Sequence, residues 1–342
     1  QTINNHIAIG KWADVFVIAP CTANTINKLA HGVADCILTQ TALAYDGIKL
    51  IAPAANTNMI TSPITKDNMR LLDLGAYKFI DTTSKELACQ DIGKGALADV
   101  ETIFHHTIRE IYRDDYWENR TVVLNGGTSI EKIDNVRYIT NFSSGKMASS
   151  LALAAFYKGA NVQYIPFSNV DFKEKGLIPT HFVQNSLKSF EITQSILKDS
   201  IKNSPKKPYF FGVAAISDYI PKSPQQGKLK KTDVGEEWNL ELKQNIDILA
   251  SIEAKNIYKI GFKAELDSNN ANKYAIKALE EKNLAGICLN ILQDKKTNNN
   301  FGSDSNSIEF ITKGGSKHLA QAPKLELSLQ LLDTIKEQNN EK

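Results

Sequence analysis

Apolar, β-branched runs alternate with stretches in which apolar residues recur every three or four positions, and the alternation runs along almost the whole chain. Residues 14–19 and 49–52 read as buried strands. Between them, 25–34 reads as a helix with Ile26, Leu29, Ala30 and Val33 on one side. A second helix is predicted from Pro63 towards Gly75, with proline in its first turn, glycine past its end, and Ile64, Met69 and Leu72 inward. A third covers 99–112, where Val100, Ile103, Phe104, Ile108 and Ile111 keep helical spacing. His6 lies on a short amphipathic stretch ahead of all these. The polar, aperiodic segment 113–120 then interrupts the pattern, and 114–120 is the expected linker.

The alternation resumes beyond it. Strands are predicted at 121–124, 161–165, 180–183, 209–215, 257–262, 285–289 and 307–312, and helices at 144–157, 186–201, 271–282 and 324–336. Strands separated by helices imply parallel sheets. The expected fold is α/β, with two Rossmann-like domains. Domain 1–113 has too few strands to cover both faces of a parallel sheet and reads as incomplete, whereas 121–338 reads as complete. Segment 221–245, rich in Pro, Gln, Gly and Lys, reads as a long loop or arm, unusual enough inside a compact domain to suggest function.

A length of 342 residues fits two cores better than one. Lys+Arg 40 against Asp+Glu 38 leaves +2, too even for a nucleic-acid footprint or a polybasic membrane surface. The longest apolar runs are strand-length, far short of a bilayer span. Four cysteines stand far apart without a CxxC pair. That argues against a zinc cage or disulfide framework and for a reducing, cytoplasmic compartment.

Candidate chemistry gathers at predicted strand ends. Asn125-Gly126-Gly127-Thr128 closes the strand at 121–124, and Asn141-Phe142-Ser143-Ser144-Gly145-Lys146 opens the next helix. Glycines admit an anion to the backbone, and amides at a helix start bind phosphate. Neither a P-loop nor a GxGxxG pattern is present, and an ordinary βα turn would use the same residues. Asp218 follows the strand at 209–215, where a carboxylate meets a ligand or its magnesium. Lys228, Lys230 and Lys231 suit a triphosphate, although a solvated basic loop has the same composition. In the first domain, segments 19–25, 53–59 and 87–95 stand at strand ends or in their place, and Cys89 fits a thiol proton donor as well as a small buried residue.

Together these segments resemble one family, the bifunctional phosphopantothenoylcysteine decarboxylase/phosphopantothenate–cysteine ligases of bacterial coenzyme A synthesis. In the first half the likeness rests on His6-Ile7, 12–14, 19–25, 53–59 and 87–95. In the second it rests on Gly126-Gly127-Thr128, 136–139, 141–147, 214–219, 228–231, 245–248, Gly261-Phe262 and 301–304. It spans His6 to about Ile335 in the family's order. Departures include Ala55 where methionine is usual, Gln90 for a glycine, Asn125 for a small residue, Ile246 for a proline and Lys263 for an alanine.

The resemblance implies that the second half activates 4′-phosphopantothenate with CTP and Mg2+ as an acyl-cytidylate, releasing pyrophosphate, and that the amine of L-cysteine then expels CMP. It assigns phosphate contacts to Gly126, Gly127, Thr128, Ser143 and Ser144, charge neutralisation in the transition state to Lys228, and a substrate or CTP contact to Lys231. Asp218 becomes a metal or nucleotide contact, and Asn141 carries the acyl-cytidylate forward with Arg137 nearby. Gly212, Val213, Ala214, Ile246, Asp247, Ile248, Leu249, Phe262 and Lys282 become CTP contacts. The first half is implied to bind FMN through Thr22, Ala23 and Asn24 and to decarboxylate 4′-phosphopantothenoylcysteine to 4′-phosphopantetheine. There Asn56 would hold the substrate carboxylate, Cys89 would give the proton, and His6 is the active-site histidine. The implied assembly is flavoprotein trimers linked by ligase dimers. The leading expectation is the bifunctional enzyme with both activities. Because the family's first strand, flavin loop and next strand–helix have no counterpart in the sequence, this chain is expected to ligate and to fall short in decarboxylation through poor cofactor retention. The alternatives are a ligase whose first half only scaffolds and a flavin-binding regulatory subunit.

Overall fold

The computed structural model describes residues 5–86, 92–253, 255–265, 268–291 and 302–339, and the chain divides into two compact units, Gln1–Arg113 and Asp114–Lys342. The first unit runs α1 (His6–Trp12), β1 (Phe16–Cys21), α2 (Ala23–Ala30), α3 (Ile37–Ala44), β2 (Lys49–Pro53), α4 (Thr57–Thr61), α5 (Pro63–Asp73), β3 (Tyr77–Phe79), β4 (Thr83–Glu86), β5 (Ile92–Ala96) and α6 (Val100–Tyr112). Strands β1, β2 and β3 pair in parallel in that order. Ile18, Ile26, Ile51 and Leu72 meet in the core that they form with α2 and α5. Each such side chain contributes about 1.5–3 kcal/mol when fully buried. Helix α2 begins two residues earlier than the periodicity predicts because Thr22 caps it, its hydroxyl accepting the Thr25 N–H at 3.2 Å. Helix α3 has no counterpart in the sequence reading: Ile37, Leu38, Ala42, Leu43 and Ala44 lack a single apolar stripe. Residues 87–91, Cys89 among them, lie outside the described residues.

The second unit runs β6 (Thr121–Gly126), β7 (Glu131–Lys132), β8 (Tyr138–Ile139), α7 (Lys146–Tyr157), β9 (Asn161–Pro166), α8 (Ser186–Asn203), β10 (Tyr209–Gly212), β11 (Tyr219–Pro221), α9 (Lys231–Val234), β12 (Leu242–Gln244), α10 (Ile248–Ser251), β13 (Tyr258–Glu265), α11 (Ser268–Glu281), β14 (Gly286–Ile291), β15 (Ser305–Thr312), β16 (Gly315–Pro323) and α12 (Lys324–Gln338). Its sheet has the order β16-β15-β14-β13-β10-β6-β9. Five strands are parallel, as expected of a Rossmann-like domain, and β15 and β16 extend the sheet antiparallel at one edge. Residues 180–183 do not form a strand; they touch β9 and its exit through single bridges at Thr180 and Val183. The expected loop at 221–245 is tied down, because β11 pairs antiparallel with β12. Segment 114–120 is likewise no free linker: Trp117 is fully buried against Tyr209, and buried Arg120 donates to the carbonyls of Tyr116 and Lys207.

This topology positions a site. From β6 the chain crosses to β9 on one side of the sheet, then returns to β10 on the other side of β6. The loops leaving β6 and β10 therefore diverge, and the crevice beyond such carboxyl ends is where open α/β sheets take ligands.

Candidate functional site

Buried Asn125, near the end of β6, accepts the N–H groups of Val213 and Ala214 on its side-chain oxygen, both at 3.0 Å. The Ala215 N–H donates to the Gly127 carbonyl at 2.9 Å. The exits of β6 and β10 are thus stapled side by side. Gly127 (φ +87°) and Gly145 (φ +72°) are both left-handed, and a Cβ on either would run into Val170, so only glycine fits. The Thr128 hydroxyl is a buried hub: it donates to the Ala215 carbonyl at 3.1 Å and accepts the Asn141 N–H at 3.1 Å. It thereby fixes the loop that leads into α7. Helix α7 starts after Gly145 with no side-chain cap bond, leaving first-turn amides for an anion.

A cavity of ≈ 190 Å³ opens at this junction. Of the sequence-predicted residues it is lined by Gly127, Ser143, Ser144, Val213, Ala214 and Phe262; Lys146, Lys263 and Lys324 also face it. Gly126 and Gly212 are buried beneath, where Ala148 and Leu249 leave no room for a Cβ. Asn141, Asp218 and Lys228 are exposed and do not line the cavity.

The arm bearing Lys228 is held by a separate network. Buried Asp134 accepts from the N–H groups of Val136 and Arg137 at 2.7 Å, from Leu229 at 3.1 Å, and from Arg137 Nη2 at 2.6 Å. Burial works against this carboxylate, but the Arg137 bond and the three amides outweigh it, so its pKa is lowered. Arg137 also donates to the Leu229 carbonyl at 2.7 Å and stacks on Trp238. Its guanidinium, expected near the substrate, is engaged in fixing the segment beside Lys228. Lys231 opens α9, and its side chain lies outside the described ones.

The expected cytidine stretch is mostly structural in its contacts. Asp247 caps α10 and pairs with Lys282 at 2.8 Å; Ile248 is buried in the core, and Leu249 packs against it. Buried Lys259, which the sequence reading missed, donates to the carbonyls of Leu249 and Ile252 at 2.7 and 2.8 Å and closes that helix. Among the described residues no three His, Cys, Asp or Glu side chains gather as a metal cluster.

In the first unit, the exits of β1 and β2 converge, with the Ala54 N–H donating to the Cys21 carbonyl at 2.9 Å and the Ala55 N–H to Gly95 at 3.0 Å. Thr22, Ala23 and Asn24 begin α2 at this edge; Ala23 is buried, the other two exposed. Asn56 caps α4, its side chain accepting the Asn58 N–H at 2.9 Å. The adjacent Thr57 hydroxyl is buried without a hydrogen-bond partner among the described residues. His6 opens α1, half-buried.

Comparison with known proteins settles the family. A model described as the DNA/pantothenate metabolism flavoprotein C-terminal domain matches residues 117–338, and a flavoprotein model matches 2–112. The coenzyme A biosynthesis bifunctional protein CoaBC of Bacillus subtilis is 36% identical over 98% of this chain and 80% of its own length. The chain belongs to the bifunctional coenzyme A biosynthesis family. The Escherichia coli protein of the same name is 31% identical over 98% of this chain and 81% of its own. A crystal structure of the C-terminal domain of a CoaBC protein, 25% identical, superposes with a TM-score of 0.51 over 67% of this chain and 100% of that one. As a member of the family, the chain joins a decarboxylase flavoprotein half to a ligase half. The family carries both activities, as the leading expectation has it, and the alternatives of a ligase with a scaffold half and of a regulatory subunit give way. No described helix is long and apolar enough to cross a membrane.

Proposed function

We propose that the second unit couples 4′-phosphopantothenate to L-cysteine using CTP, through an acyl-cytidylate, at the crevice between β6 and β10. The observation carrying this reading is the cavity bounded by the Gly127 turn, the uncapped start of α7 and the Val213–Ala214 exit. Backbone amides and the lysines facing it suit a triphosphate, and Phe262 in its lining supplies an aromatic ring for a base. Lys228, on its anchored arm, neutralises charge as pyrophosphate departs. Asn141 positions the activated acyl group for attack by the cysteine amine, which expels CMP. A magnesium ion would be held chiefly by the substrate phosphates and its own waters, with Asp218, exposed after β10 and outside the cavity lining, as the one protein carboxylate assigned to it.

The first unit, in the same proposal, converts 4′-phosphopantothenoylcysteine to 4′-phosphopantetheine. Flavin mononucleotide would be held by Thr22, Ala23 and Asn24 at the start of α2, and the buried Thr57 hydroxyl, without a hydrogen-bond partner among the described residues, is suited to a polar group of a ligand. Bound there, it would supply the redox chemistry that lets carbon dioxide leave. Asn56 would orient the substrate carboxylate, Cys89 would deliver the proton, and His6 completes the set. A cytoplasmic homo-oligomer of flavoprotein trimers and ligase dimers would cover exposed Val100, Phe104 and Phe142. The test is an assay with CTP, cysteine and 4′-phosphopantothenate, following CMP, pyrophosphate and, with added flavin mononucleotide, carbon dioxide. Coupling with neither CTP nor ATP would refute the ligase reading; absence of carbon dioxide would refute the decarboxylase reading.

A further inference from the structure

Three lysines face the crevice cavity, and they are not equivalent. Lys146 pairs with Asp304 at 2.6 Å, and Lys263 with Glu265 at 2.9 Å. Lys324 has no carboxylate partner among the described residues. It is 9% exposed, and among the described residues its ammonium donates to the Ser303 carbonyl alone. The nearby Asp304 carboxylate is already paired with Lys146, so two lysines share one negative charge, and a buried cation short of counter-charge is costly unless an anion arrives.

Position sharpens the contrast. Lys324 is the first residue of α12, and Lys146 is the first residue of α7. The start of a helix carries partial positive charge, so a lysine there opposes the macrodipole. Two lysines in this unfavourable place, at two helix starts that share one cavity, describe a receptor for a multiply charged anion. Burial, and then the Lys146 charge, lower the Lys324 pKa against the opposing pull of Asp304, so the two lysines together exceed the negative charge beside them.

We propose that Lys324 is a further nucleotide-binding residue of the ligase site, its ammonium meeting the terminal phosphates of the triphosphate opposite Lys146. This rests on the nucleotide reading above, and it adds a residue roughly two hundred positions from the glycine loops. The backbone bonds at this position, Lys324 N–H to the Asp304 carbonyl at 3.0 Å and the Ser328 hydroxyl to the Lys324 carbonyl at 2.7 Å, do not involve the side chain and survive its replacement.

The experiment is calorimetric titration of the full chain, and of K324Q and K324R, with CTP, CMP and inorganic tripolyphosphate in the presence of magnesium. Loss of one charge-assisted contact should weaken CTP and tripolyphosphate about 10- to 100-fold in K324Q. CMP should change less than about twofold, and K324R should retain most of the affinity. Unchanged CTP binding in K324Q, or equal weakening of CTP and CMP, overturns the proposal in favour of a structural lysine. Binding of tripolyphosphate with no gain from cytidine would refute the CTP reading, while the tripolyphosphate series still judges Lys324. Failure of the unsubstituted chain to bind either polyphosphate would overturn both.

Discussion

Replacing Asn125 by alanine removes the side chain that holds the Val213–Ala214 exit of β10 to the end of β6. Its oxygen accepts two backbone N–H groups, Val213 and Ala214, at 3.0 Å each, from a position 1% exposed. Two neutral hydrogen bonds at about 0.5–1.5 kcal/mol apiece give about 2 kcal/mol of lost stability. For a unit of this size that lowers the thermal midpoint by roughly 4–8 °C. The functional cost is expected to be larger than the stability cost. The Val213–Ala214 exit lines the cavity, and a displacement of about 1 Å can cost roughly a hundredfold in rate. The assay is differential scanning calorimetry together with CTP-dependent ligase kcat/KM on the same preparation. Asn125→Ala should lower the second unit's midpoint, lower kcat/KM about 10- to 100-fold, and leave carbon dioxide release unchanged. A wild-type midpoint with wild-type ligation would show that the staple does not organise the site.

Lys228→Gln should lower ligase kcat about a hundredfold while Lys230→Gln changes it little; equal, mild effects in steady-state kinetics would return both lysines to a solvated loop. Asp134→Asn should loosen the Lys228 arm, raising its hydrogen exchange at Leu229. Because the folded-state pKa of Asp134 is lowered, its stabilisation is fully present above the unfolded carboxylate value near 3.9 and fades as pH falls through the folded value. The stability gap between the parent and Asp134→Asn, read by urea unfolding, should therefore be flat from pH 8 to about 5 and shrink only in stronger acid. Asn56→Asp keeps an acceptor for the Asn58 N–H and so keeps the α4 cap, but sets a negative charge against the substrate carboxylate. Carbon dioxide release should fall at least about tenfold with the melting curve unchanged.

The glycine turns at Gly127 and Gly145 were legible in the sequence because their meaning is local: a strand end, a left-handed residue and a helix start lie within twenty-one positions. The core strands were legible for the same reason, as buried apolar runs. What escaped depends on distant partners. Strand β16 is polar and largely exposed, so no alternation marks it until β15 is present to pair with it. The run at 180–183 has strand-like residues but finds only single bridges to β9 and its exit. Asn125 read as a departure from a family pattern, and only the neighbouring loop reveals two amides aimed at its oxygen. Lys324 carried one readable signal, a cation at the first position of a helix after Pro323, against the macrodipole.

The central claim, that the crevice between β6 and β10 supports ligation through an acyl-cytidylate, is tested most directly with oxygen isotopes. The protein would be given 4′-phosphopantothenate labelled with oxygen-18 in its carboxylate, together with CTP, magnesium and L-cysteine, and the products examined by mass spectrometry. Attack of the carboxylate on the α-phosphorus followed by expulsion of CMP transfers one labelled oxygen to CMP. The account predicts label in CMP, with unlabelled pyrophosphate. Label in inorganic phosphate, with CDP as the other product, would mean activation at the terminal phosphate and would contradict it.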